Sequence, residues 1–339
     1  MVWNGGPVNG EMMMAEMASQ PEVLTRLVAR APSDAAKVRA VVPDPLAGVV
    51  FLARGSSDNA AVFGRYLAEL TAGRPAGLAA PSIYTRYHAE VDWRGYLVVA
   101  VSQSGATPEI ISTCAVMKQA GAVVVGVTNE LNSPMADAVD VVLSTDAGPE
   151  RAVPATKTAT GQQALLATIA SGLRAAGPSP AIDLGGLPGA VTAVLADPEP
   201  ALSLAHRWAD VDRLVVAGRG LGYAAALETA LKVKETTGSL AEGISTADLL
   251  HGPIATVYAG APVLLIDAGG PAAADLEELR ELLGPRHADV ATLPLPAGPE
   301  PVQVIAATVR GQQLAHAMAR AKGFDPDAPA DLSKVTATI

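Results

Sequence analysis

Short apolar runs alternate with amphipathic stretches of helical length along most of this chain. Val49–Ala53, Ala76–Ala80, Leu97–Val101, Val123–Val127 and Val139–Leu143 are each bounded by Gly, Pro or polar residues. Between them, Ala60–Leu70 and Glu109–Ala120 carry the spacing of amphipathic helices. This alternation predicts βα units wound into a parallel sheet covered on both faces. Residues 12–45 read as helix with an arm-like start, and Ala159–Ala176 as a long helix closing this half.

The pattern then breaks and restarts. Five prolines fall within residues 177–200, which predicts a linker with one short helix. Strand-like runs resume at Arg213–Ala217, Val263–Ile266 and Val290–Leu293, with helices expected at Ala224–Glu235 and Asp275–Leu283 and a further strand at Leu240–Glu242. The restart is an internal repeat. Val49 to Ala53 followed by Arg54-Gly55-Ser56-Ser57 is echoed by Arg213 to Ala217 followed by Gly218-Arg219-Gly220-Leu221-Gly222. The fold class expected is α/β, with two tandem lobes. Each lobe is a doubly wound, flavodoxin-like parallel sheet of about five strands flanked by helices. The boundaries expected are an N-terminal arm and helices over 1–44, a first lobe over 45–180, a linker over 181–200 and a second lobe with its tail over 201–339.

Composition narrows the partners. The 339 residues carry a net charge of −10 and no long basic run, which disfavours nucleic acid and anionic membranes. No apolar run approaches the roughly 18–20 residues of a membrane span, and no charged and then apolar leader precedes the first lobe. The expectation is a cytoplasmic protein. Met12, Met13 and Met14 suggest an alternative start that would make the first eleven residues dispensable. One cysteine, Cys114, excludes an intrachain disulfide and a multi-thiolate metal site, and the five histidines lack metal-ligand spacing. Neither a metal nor a cofactor is expected.

The loop Ser102-Gln103-Ser104-Gly105-Ala106-Thr107 follows the apolar run Tyr96–Val101 and opens a helix. Small hydroxyl residues and backbone N–H groups at a helix start form a phosphate cradle favoured by the helix dipole. Thr107 is also a plain N-cap candidate, with Pro108 at the first helical position and Glu109 complementing the dipole. In a doubly wound sheet the Arg54–Ser57 and Ser102–Thr107 loops meet beyond the carboxyl ends of their strands. The Gly218–Gly222 run resembles a dinucleotide fingerprint, but Tyr223 breaks its spacing. Glu228, Lys232 and Glu235 share one helical face, either as a surface salt-bridge ladder or as a carboxylate-bearing pocket wall. His251, before Gly252-Pro253, sits where a turn exposes the ring. Lys334 lies near the C-terminus among apolar and hydroxyl neighbours that suggest a docked tail, and a lysine held in a pocket can react with a carbonyl.

Six motifs in order give the chain a family likeness over about residues 45–339. They are Arg54-Gly55-Ser56-Ser57, Ser102-Gln103-Ser104-Gly105, Ala155-Thr156-Lys157, Ala230-Leu231-Lys232-Val233-Lys234-Glu235, Leu250-His251-Gly252-Pro253 and Leu332-Ser333-Lys334-Val335. The chain resembles the double-domain SIS (sugar isomerase) family, in particular the isomerase half of glucosamine-6-phosphate synthase and the stand-alone SIS-type glucosamine-6-phosphate deaminases. The resemblance implies that Ser57, Ser102, Gln103, Ser104 and Thr107 grip the phosphate of a hexose 6-phosphate and that Val153 lines the sugar pocket. It implies that Glu235 moves the proton between C1 and C2, that His251 assists ring opening, and that Lys334 meets the keto sugar. Lys232 and Glu242 fall on positions that organise the site. A homodimer is implied as well, with His251 donated across its interface.

The synthase's glutaminase domain, with its N-terminal cysteine, is absent from this sequence, and Ala155 stands where the family often has Ser. The expected activity is therefore conversion of glucosamine 6-phosphate to fructose 6-phosphate and ammonia, an isomerase-type hydrolytic deamination. The alternatives are the same chemistry on galactosamine 6-phosphate, a fructosamine phosphate or a plain aldose phosphate, or a non-catalytic phosphosugar sensor.

Overall fold

The computed structural model describes residues 10–173 and 182–334. Two helices, α1 (Glu11–Ala18) and α2 (Gln20–Arg39), precede the first sheet. That lobe runs β1 (Gly48–Leu52), α3 (Ser56–Ala72), β2 (Ala76–Leu78), α4 (Ser82–Thr85), β3 (Tyr96–Val101), α5 (Pro108–Gln119), β4 (Val123–Thr128), α6 (Pro134–Ala138), β5 (Val141–Ser144) and α7 (Lys157–Leu173). Helices α8 (Leu187–Ala196) and α9 (Glu199–Arg207) lead to the second lobe. It runs β6 (Arg213–Gly218), α10 (Gly222–Thr237), β7 (Leu240–Ser245), α11 (Thr246–Leu250), β8 (Pro262–Ile266), α12 (Ala273–Leu283), β9 (Asp289–Thr292) and α13 (Glu300–Ala321).

Both sheets are parallel throughout, as the alternation of apolar runs and helices requires. The first has five strands in the order β2-β1-β3-β4-β5. The second has four, β7-β6-β8-β9, one fewer than the repeat suggests. Strand order reverses at β1/β3 in the first lobe and at β6/β8 in the second, the positions where doubly wound sheets bind ligands. The second strand of the first lobe, expected over Ala76–Ala80, is a three-residue edge with no fully buried position. Residues 12–45 divide into two helices at Ser19, with Pro21 in the first turn of the second. The expected helix Ala159–Ala176 begins two residues earlier, at Lys157; its last three positions lie outside the described residues.

The sequence reading did not foresee α13, whose 22 residues are buried on nearly every face from Val302 to Ala319. It is buried although it carries Thr308, Arg310, Gln312, Gln313 and His316, and it packs on α7, α8, α9 and α10. One apolar core runs through both lobes, from Phe51, Phe63 and Leu166 to Trp208, Ile305 and Met318. The buried polar groups between the helices are stitched together. Thr160 Oγ1 donates to Gln20 Oε1 (2.7 Å), Gln20 Nε2 to Gln312 Oε1 (3.0 Å) and Gln312 Nε2 to the Thr156 carbonyl (3.2 Å). No described helix is long and apolar enough to cross a membrane.

The approach of α10 to α13 depends on a missing side chain. A Cβ at Gly311 would lie 2.0 Å from Thr229 Oγ1. Gly311→Ala is expected to destabilise the protein by about 1–3 kcal/mol through forced separation of the two helices. Urea denaturation checks this, and adding Thr229→Ala should recover part of the loss.

Candidate functional site

Parallel strands β1 and β3 are hydrogen-bonded neighbours, so the loops at their carboxyl ends emerge side by side. Gly55 takes φ 60° in the first and Gly105 φ 58° in the second, the left-handed region that favours glycine. At Gly105 there is also no room, since a Cβ would lie 2.1 Å from Ser133 Oγ. Helices α3 and α5 start at these loops and aim their positive dipole ends at one cavity of about 520 Å³. Ser57, Ser102, Gln103, Ser104 and Thr107 all line it. Thr107 is the N-cap residue of α5, yet its side chain makes no capping bond; its hydroxyl sits 3.4 Å from Ser102 Oγ. Arg54 stands at the cavity wall, paired with Glu109 at 2.9 Å.

The second lobe contributes Glu235, at the end of a buried charge relay along α10. Asn59 of α3 donates to Glu228 Oε2 (2.8 Å), Glu228 Oε1 faces Lys232 Nζ (3.4 Å), and Lys232 Nζ bonds Glu235 Oε2. The alternative of a surface ladder is overturned, because Lys232 is 0% and Glu228 2% exposed. Burial opposes the lysine's charge, but the two carboxylates more than restore it and hold its pKa above the ordinary lysine value. Burial pushes the Glu228 carboxyl up, countered in part by Lys232 and reinforced by Glu235. Lys232 thus stands behind the cavity wall, and Glu235 is the member of the triplet that reaches the cavity.

The loop between β5 and α7 supplies a carboxylate that sequence reasoning missed. Glu150 lines the cavity and gathers six donors. The Thr158 hydroxyl donates at 2.6 Å and the Thr156 hydroxyl at 3.3 Å, with their backbone N–H groups at 3.1 and 3.0 Å. Gln103 Nε2 and Lys334 Nζ each approach at 2.9 Å. Burial works to raise this carboxyl, but Lys334 and Thr158 outweigh it and hold the group below its ordinary range. The only hint in the sequence was an acidic residue shortly before the hydroxyl-rich helix start Thr156-Lys157-Thr158.

The C-terminal tail is docked: Leu332, Ser333 and Lys334 line the cavity, as does Val153. Gln162 completes the wall. It is 1% exposed, and its carbonyl oxygen has no hydrogen-bond partner among the described residues. Two expected site residues lie elsewhere. His251 is exposed at the end of α11, its Nδ1 2.8 Å from the Ala247 carbonyl, and Glu242 is exposed on β7; neither lines the cavity of its own chain. In the fingerprint-like loop of the second lobe, Arg219 pairs with Asp275 at 2.7 Å. Among the described residues no group of three or more His, Cys, Asp or Glu side chains is placed to hold a metal ion.

Because Glu150 is held below its ordinary value of 4.5, its contribution to stability is fully present above that pH and is lost as pH falls through the depressed value. Glu150→Gln is expected to cost about 2 kcal/mol at neutral pH. The gap between wild type and variant in urea denaturation should hold constant down to pH 4.5 and close below it.

Comparison with known proteins accords with this geometry. The SIS domain family matches residues 48–171 and 208–293, the two lobes. Glutamine–fructose-6-phosphate aminotransferase [isomerizing] of Mycobacterium tuberculosis is 32% identical over 316 residues, covering 84% of this chain. The alignment takes in 50% of that relative, so the chain spans about half the length of the curated relatives it matches. A solved structure from Silicibacter pomeroyi, assigned as a phosphosugar isomerase, superposes with a TM-score of 0.82 at 33% identity, over 93% of this chain and 99% of that one. Glucosamine-6-phosphate deaminase from Thermotoga maritima shares the fold, with a TM-score of 0.73 at 21% identity over 97% of this chain and 100% of its own. On this evidence the chain belongs to the SIS domain family, with two lobes of that kind.

Proposed function

We propose that this protein is a phosphosugar enzyme of the aldose–ketose isomerase type that releases ammonia from glucosamine 6-phosphate. The observation that carries the reading is the convergence, in one cavity, of two hydroxyl-rich helix starts, a carboxylate fed by a buried lysine, and the tail lysine. The dianionic phosphate is held by Ser57, Ser102, Ser104 and Thr107 with the N-termini of α3 and α5. Gln103 donates to Glu150, so it braces the cradle as well as lining it.

In the open-chain sugar, the Glu235 carboxylate takes the C2 proton, and the electrons move to the C1 carbonyl oxygen, which takes a proton from water, to give an enaminol. Return of the Glu235 proton to C1, with loss of an amine proton to water, leaves an imine at C2. Water adds there and ammonia departs, so glucosamine 6-phosphate and water become fructose 6-phosphate and ammonia. Lys232 orients Glu235 for both transfers without reaching the sugar. Lys334, anchored by Glu150, meets the C2 carbonyl of the ketose once ammonia has left. His251, outside the cavity of its own chain, is assigned to ring opening in the site of a second copy, so a homodimer belongs to the proposal. Cys114, the single cysteine, is buried and its thiol is pushed up to about 12.

The test is ammonia and ketose phosphate yield from glucosamine 6-phosphate, galactosamine 6-phosphate, a fructosamine 6-phosphate and glucose 6-phosphate. Glucosamine 6-phosphate is expected to give both products in equal amounts, with Glu235→Gln lowering kcat by about 10²–10⁴. Thermal stabilisation by the sugar phosphates without turnover of any would overturn the enzymatic reading in favour of a sensor. The unpartnered Gln162 carbonyl is expected to accept from a sugar hydroxyl. Gln162→Leu should then lower kcat/KM by about tenfold, the worth of one buried hydrogen bond.

A further inference from the structure

Helix α1 lies outside both sheets and supplies no side chain to the cavity, yet it is fastened to two segments that carry cavity residues. Glu16, 8% exposed, accepts from the backbone N–H of Arg151 and from that of Ala152 (3.4 Å), directly after the cavity carboxylate Glu150. Met13 and Met17 close an apolar contact on Ala152. At the other end, Asp327 of the tail accepts from the first N–H groups of the helix. Its Oδ2 takes Gly10 and Met12 at 3.0 Å, and its Oδ1 takes Met13 at 2.7 Å. The Asp327 carbonyl accepts from Val153 N–H at 2.9 Å, and His316 Nε2 donates to the Gly10 carbonyl at 2.9 Å. Gly10 is therefore a structural residue, and the expectation that the first eleven are dispensable does not hold at that position.

We propose that α1 is a clasp and Glu16 and Asp327 are positioning residues: Glu16 fixes the strap that presents Glu150 and Val153, and Asp327 fixes the tail that presents Lys334. The physical argument is one of reach. Lys334 lies thirteen residues beyond the end of α13 at Ala321, but seven beyond Asp327. Pinning Asp327 cuts the maximum span of the free tail from about 45 Å to about 24 Å, at roughly 3.4 Å per residue. A shorter tether raises the effective concentration of the amine at its Glu150 partner. The strap is positioned by the same helix, so the two partners of the Glu150–Lys334 bond are set against each other by a third element. The phosphate loops of the first lobe make none of these bonds.

This inference rests on the reading of the cavity as a phosphosugar site only for its kinetic arm. Without substrate, trypsin cleavage after Lys334 and amide exchange at Arg151, Ala152 and Val153 are compared in wild type, Glu16→Ala, Glu16→Gln and Asp327→Ala. Cleavage is expected at least tenfold faster in Glu16→Ala and Asp327→Ala, with faster exchange of the strap amides. Glu16→Gln, whose side-chain carbonyl still accepts, should restore most of the protection. With glucosamine 6-phosphate, the two disruptive variants should lose about ten- to a hundredfold in kcat while KM stays within about threefold. Lys334 protection equal to wild type in Glu16→Ala and Asp327→Ala overturns the clasp, as does a rise in KM as large as the fall in kcat. Should Glu16→Ala fail to fold, Asp327→Ala with the Glu16→Gln comparison decides in the same way. Altered protection in an enzyme that turns over no sugar phosphate would leave the clasp standing and sink the proposed reaction instead.

Discussion

At the seam between the two lobes, the ammonium of Lys232 has no exposed surface and two carboxylates to answer to. Removing such a charge from water costs several kcal/mol unless its partners are close and themselves held. That condition dictates much around it. Glu228 must be tied down, which Asn59 of the first lobe does, and Glu235 must stay within a single turn of the lysine. The relay therefore joins α3 to α10 across the lobe boundary and orients a carboxylate toward a cradle built by the other lobe. A lysine on a solvated face would impose none of this.

The cradle follows from topology. Strand order reverses between β1 and β3, so their loops cannot be filled by a crossover helix and leave a crevice. The second lobe repeats that order one strand short, with its own crevice-forming loops after β6 and β8. There Arg219 is paired with Asp275, and Glu300 crowds the space beside Gly270. Duplication thus produced two similar frames, of which one keeps hydroxyl groups at two helix starts. The other contributes Glu235 to the cavity wall through α10.

Around this frame the chain ends are drawn inward. Glu150 gathers threonines, Gln103 and the tail lysine around one buried carboxylate, and α1 holds the segments on either side of that bond. Segments that look peripheral in order of sequence, at residues 10–16 and 327–334, are neighbours of the same strap. The cavity is accordingly a meeting place of separate regions of the chain: the loops after β1 and β3, the segment before α7, the end of α10 and residues 332–334.

Much of this was readable in advance. Runs such as Leu97–Val101 and Val263–Ile266 became central parallel strands because period and length are local properties. The hydroxyl loops could be marked from residue type and spacing, and Glu235 and Lys334 from the family resemblance; all of them line the cavity. Glu150 could not, since its local threonine donors do not mark it as a cavity residue, and Gln103 and Lys334, which it meets at the cavity, lie 47 and 184 residues away. The same holds for Glu16 and Asp327, whose partners are backbone N–H groups that carry no sequence mark. It holds for α13, whose burial on every side erases the amphipathic stripe that would have announced it. Local order along the chain set the strands, the loops and the kind of chemistry. Long-range packing alone decided which charges are buried, which are paired, and which residues face the cavity.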